Sequence, residues 1–68
     1  MYINTLNHIT KKYEQLTDAQ RLELLKKKYP LWIIEEMEES DCLLLEEDIV
    51  RIHISKTGKL ISTEYVSC

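Results

Sequence analysis

Sixty-eight residues with a formal net charge of −3, 44% apolar and 31% charged, allow one small domain spanning 1–68. They leave no room for a cofactor domain beside a substrate domain, and so short a chain buries a modest share of its surface. One glycine and one proline among many Leu, Ile and Val exclude a disordered or low-complexity chain, and no apolar run exceeds the four residues Leu31 to Ile34, far short of a membrane span.

The first thirty residues read as two helices. Ile3, Leu6, Ile9, Tyr13 and Leu16 recur at spacings of three and four, which puts them on one helical stripe. The pattern restarts at Thr17. Thr17 followed by Gln20 fits a capping box, in which hydroxyl and amide satisfy free backbone donors. Asp18 falls in the positive first turn of the second helix and Lys26, Lys27 and Lys28 in its negative last turn. Ala19, Leu22, Leu25 and Tyr29 form its apolar face, widened by Leu24, and Pro30 ends it. Two helices joined at Leu16–Thr17 are expected, with one long bent helix as the alternative.

The middle of the chain admits two readings. Trp32, Ile33 and Ile34 suit a strand over Leu31 to Met37. A third helix starting at Pro30 would instead align Leu31, Ile34 and Met37. Tyr29 is a poor N-cap, which favours the strand. Cys42 to Glu46 reads as a short buried strand, joined through Glu47 and Asp48 to Ile49.

The last segment reads as a β-hairpin. Ile49 to Ser55 and Leu60 to Ser67 are rich in β-branched residues, and Lys56-Thr57-Gly58-Lys59 lies between them. Thr-Gly is a weaker two-residue turn signal than Asn-Gly, so a four-residue type I turn is also open. Pairing Ser55 with Leu60 continues the ladder through Ile54:Ile61, His53:Ser62, Ile52:Thr63, Arg51:Glu64 and Val50:Tyr65. That register puts Ile54, Ile61, Ile52, Val50 and Tyr65 on one face and sets Arg51 opposite Glu64 as an ion pair. The whole is an α+β fold, two N-terminal helices packed on a three- or four-stranded antiparallel β-meander. Its expected core is Leu6, Ile9, Tyr13, Leu16, Leu22, Leu25, Trp32, Ile34, Leu44, Val50, Ile52, Ile54, Ile61 and Tyr65.

Met1 to Thr10 lacks the basic start and apolar block of a signal peptide, so a cytosolic protein is expected. Cys42 and Cys68 are then reduced thiols and not a disulfide framework. Without disulfides, a homodimer becomes the expected source of extra buried surface. His8, Cys42, His53 and Cys68 lack metal-binding spacings, so no metal is expected. The lone glycine excludes a glycine-rich phosphate loop, and no cofactor is expected. Cys42 and His53 could be written as nucleophile and base, but a cysteine leading Leu43-Leu44-Leu45 reads as a core residue, and the chain as a non-enzyme.

Charge is the remaining signal. Residues 31–48 hold eight acidic side chains and no basic one, whereas residues 1–30 are mildly basic. Two helices followed by a hairpin resemble a winged helix-turn-helix, and Lys26 to Lys28 could meet phosphates. The negative net charge and a glutamate-bearing third segment oppose direct nucleic-acid binding. A partner-binding surface of Trp32, Glu35, Glu36, Glu38, Glu39, Asp41, Glu46 and Glu47 is the stronger expectation, fitting a host protein with a basic surface. Solvation alone also explains such a run of glutamates. In composition, rich in Ile, Lys, Glu, Tyr and Asn with a single alanine, the chain resembles small proteins of phages and mobile elements in low-GC bacteria. That resemblance implies a small inhibitor of a host protein, defence-related or otherwise, acting in the host cytosol without a membrane.

Overall fold

The computed structural model describes residues 2–66, with side chains from 6 onward. The side chain of Ile3, the end of the second hairpin strand at Ser67, and Cys68 lie outside that description. Helices α1 (Tyr2–Gln15), α2 (Asp18–Lys28) and α3 (Leu31–Glu36) precede strands β1 (Leu43–Glu47), β2 (Val50–Ile54) and β3 (Leu60–Tyr65). The strands form one antiparallel sheet in the order β1-β2-β3. This is the α+β meander predicted from the sequence, with one helix more.

The joint at Leu16–Thr17 is a real helix boundary. Thr17 Oγ1 accepts from the Gln20 backbone N–H at 3.1 Å, and Gln20 Oε1 accepts from the Thr17 N–H at 2.9 Å. Such caps contribute about 1 kcal/mol each, enough to favour two helices over one bent one.

Arg21 binds the two helices to the hairpin. It is only 6% exposed and is the one buried charged residue among those described. Its Nη1 donates to the carbonyls of Tyr13 and Leu16, each at 2.6 Å, and so satisfies acceptors left open where α1 ends. Its Nε donates to the Gly58 carbonyl at 2.6 Å, and its Nη2 to Asp18 Oδ1. Gly58 is needed on two counts. Its φ is +91°, and a Cβ there would sit 2.0 Å from the Asp18 carbonyl oxygen. The hairpin tip is thereby seated against the N-terminus of α2.

The turn alters the predicted register. The Ser55 carbonyl accepts from Gly58 N–H at 2.9 Å, and Ser55 N–H donates to the Lys59 carbonyl at 2.9 Å. This tighter closure pairs Ile54 with Leu60 instead of Ile61. The pairs from His53:Ser62 to Val50:Tyr65 stand as predicted, and Ile61 is the extra residue of a bulge between them. Ile61 is therefore 53% exposed and leaves the expected core.

Three further expectations are corrected. Residues 31–36 are a helix, because Pro30 itself takes the N-cap place with φ −61°, and its carbonyl accepts from Ile33 and Ile34. Trp32, expected in the core, is 61% exposed. Leu44 pairs with His53 and shares its outward face, so Leu45 and Leu43 fill the core in its place. The core consists of Ile9, Tyr13, Leu25, Ile34, Leu45, Val50, Ile52 and Ile54, with Leu6, Leu16, Leu22 and Tyr65 packed against it.

Candidate functional site: an exposed tryptophan with an acidic rim

Helix α3 is held on one side only. Ile34 and Met37, three residues apart, are buried against the core side. Trp32 lies across the helix from Ile34 and is 61% exposed, and Leu31, in the first turn, is 54% exposed; they are the two most exposed large apolar side chains described. Glu35 and Glu36 follow on the same exposed side, at three and four residues from Trp32.

The chain after α3 is braced by polar contacts. Lys56 Nζ donates to the Met37 carbonyl at 3.0 Å. Glu38 N–H donates to Asp41 Oδ2, and Asp41 N–H to the Glu38 carbonyl, both at 3.0 Å. The turn is thus closed on itself, with Glu38, Glu39, Ser40 and Asp41 all exposed. Among the described residues, no ion pair involves Glu35, Glu36, Glu38, Glu39 or Asp41. These five residues are all exposed, as are Leu31 and Trp32.

The other two predicted carboxylates lie elsewhere. Glu46 is on the outward face of the sheet, with its Oε1 3.6 Å from Arg51 Nε. Glu47 faces the helices, where both its oxygens accept from Lys12 Nζ, at 2.9 and 3.1 Å. The Lys12 hydrogen bond holds the Glu47 carboxyl below its ordinary value, against a smaller opposing effect of burial, with Tyr13 assisting. Burial, and after it the neighbouring Glu47, pushes the Tyr13 phenol up to about 12. Glu47 is therefore a structural anchor for α1. The predicted Arg51–Glu64 pair is also redistributed. The two residues face each other in register, but Glu64 Oε1 lies 2.8 Å from His53 Nε2 while Arg51 turns to Glu46.

Sequence reasoning missed Leu31 as a surface residue. Leu31 was placed neither in the expected core nor on the expected surface, and its exposure shows only once α3 is seen to bury Ile34 and Met37. The same reasoning missed a groove of about 660 Å³ between the first two helices and β3, lined by residues including Thr10, Glu14, Arg21, Lys59 and Ile61. Among the described residues no three His, Cys, Asp or Glu side chains are placed to hold one metal ion, and no helix is long and apolar enough to cross a membrane. No family model matches the chain, and neither a curated protein nor a solved structure matches it.

Proposed function

We propose that this chain is a non-enzymatic protein-binding module that inserts Trp32 and Leu31 into a partner's apolar pocket. Its glutamates meet a basic rim on that partner. The observation that carries this reading is the exposure of Trp32 on a short, well-anchored helix. A tryptophan side chain offers roughly 150–250 Å² of surface, so burying what is free is worth roughly 2–4 kcal/mol. Tryptophan anchors surrounded by polar rims are the usual centres of protein interfaces. The unpaired carboxylates add charge complementarity, which speeds encounter with a basic partner and discriminates against acidic ones.

Together with the phage-like composition, this supports an inhibitor of a host protein acting in the host cytosol. A winged-helix DNA binder fits less well. Its recognition helix would be α3, which carries Glu35 and Glu36 and no basic residue.

The test is affinity purification of the tagged chain from its host cell, using wild type, Trp32→Ala and the fourfold Lys variant of Glu35, Glu36, Glu38 and Glu39. One stoichiometric protein partner is expected with wild type and is lost with both variants while their circular dichroism is unchanged. Because Trp32 is the only tryptophan, its emission should also shift to the blue on titration with that partner. Recovery of nucleic acid alone, or equal recovery by all three proteins, overturns the proposal.

A further inference from the structure

On the sheet face opposite the core, three side chains form a relay. Cys42 Sγ lies 3.5 Å from His53 Nδ1, and His53 Nε2 lies 2.8 Å from Glu64 Oε1. The register explains the meeting. His53 alternates with the buried Ile52 and Ile54 and so points outward, and Glu64 sits diagonally across from it, opposite Arg51. Cys42 directly precedes Leu43, whose partner is Ile54, which brings it diagonal to His53 from the other side. It is half-buried and lies outside the hydrophobic cluster, contrary to its expected place in the core.

The chemistry follows from the proton positions. A carboxylate only accepts, so in the neutral imidazole the ring proton belongs on Nε2, facing Glu64. Nδ1 then presents its lone pair to the thiol. This is the nucleophile–base–orienter order of activated cysteines.

We propose that Cys42 is a nucleophilic thiol with His53 as its base and Glu64 as the positioning residue, and that it reacts with small disulfides. As the sulfur of Cys42 attacks one sulfur of R–S–S–R, its proton passes to His53 Nδ1. A new S–S bond forms to Cys42 and the old one breaks. The leaving RS⁻ then takes the proton from His53. The Cys42 sulfur is oxidised and the departing sulfur reduced, so the small disulfide is the only oxidant required. Acyl transfer is the weaker alternative, because it develops charge on oxygen and depends on an oxyanion hole, whereas exchange keeps the charge on sulfur. The product stays attached, and the next residue back, Asp41, belongs to the acidic turn, so an adduct would alter that surface.

The experiment uses the full chain with Cys68→Ser, so that one thiol remains, and follows thiopyridone release from dithiodipyridine at neutral pH. His53→Ala is expected to slow the reaction about tenfold or more. Added imidazole should restore a large part of the rate in that variant and leave wild type unaffected. Glu64→Ala should slow the reaction, and Glu64→Asp should recover it. Misfolding cannot imitate this result, because unfolding exposes a half-buried thiol and speeds its reaction. Equal rates in wild type and His53→Ala, or a slowed variant that imidazole does not rescue, overturn the proposal.

Discussion

Replacing Arg21 by alanine strips the carbonyls of Tyr13, Leu16 and Gly58 of a charged donor at one stroke. Each buried acceptor left open costs about 1–3 kcal/mol, so the substitution is expected to cost about 3 kcal/mol or more. A chain of 68 residues has roughly 3–10 kcal/mol in total. The urea midpoint of Arg21→Ala should therefore fall by about a third or more of its wild-type value, and Arg21→Lys should recover little, since one ammonium cannot reach acceptors on three sides. Arg21 was illegible in the sequence because its partners are scattered, Gly58 lying 37 positions away. Thr17 and Gln20 were legible because both of their contacts span three residues. Tyr13 and Glu47 set the response to pH. The Tyr13 phenol is held at about 12, above its ordinary value of roughly 10. A raised value means that its contribution is complete below about pH 10 and is lost as pH climbs through about 12. The lowered Glu47 value works in the other sense, contributing above the ordinary glutamate range and failing as acid protonates it. Melting temperature should thus fall steeply between about pH 10 and 12, and Tyr13→Phe should flatten that limb.

At the level of elements, the hairpin was the most legible part, and its one error has a local cause. Four of its ladder pairs follow from alternation alone, since a slip by one would turn Ile52 outward. The bulge at Ile61 does not follow from alternation. It arises because the turn closes through Ser55, Lys59 and a glycine at positive φ, which consumes a residue on one strand only. Gly58→Ala is expected to destabilise by about 2–4 kcal/mol, through left-handed backbone strain and the clash with the Asp18 carbonyl. Thermal unfolding measures it, and the loss should exceed that of Thr57→Ala at the exposed neighbouring position. Helix α3 was harder to foresee. Six residues give too little periodicity to separate helix from strand, and Pro30 acts as cap in its own right. The candidate site inherits that ambiguity. Its carboxylates were visible as a charge run, but the exposure of Trp32 depends on which side of α3 meets Ile34 and Met37, and that is a tertiary fact.

At the scale of the whole molecule, the two edges of the sheet differ. On the β1 side, the Leu44 carbonyl accepts from Tyr29 Oη at 2.7 Å and from Lys28 Nζ at 3.3 Å, so the end of α2 covers that edge. Among the described residues the β3 side has no neighbouring strand, and Thr10 and Thr63 share one hydroxyl contact there, at 2.6 Å. With Ile61 exposed along the same strand, β3 is the favoured surface for the homodimer proposed from chain length. The melting temperature of wild type should rise with protein concentration, and Ile61→Lys should remove that dependence and sediment as a single chain. A concentration-independent melting temperature for wild type would exclude the dimer.

The covered β1 edge also limits how far such pairing can go. Two copies joined antiparallel through β3 would build one continuous six-stranded sheet whose outer borders are both β1. Each border ends in a carbonyl already occupied by Tyr29 and Lys28. In such a pair the Tyr29 and Lys28 contacts would hinder a third copy from adding at the Leu44 carbonyl, so the proposed assembly would favour a closed dimer over a growing fibre.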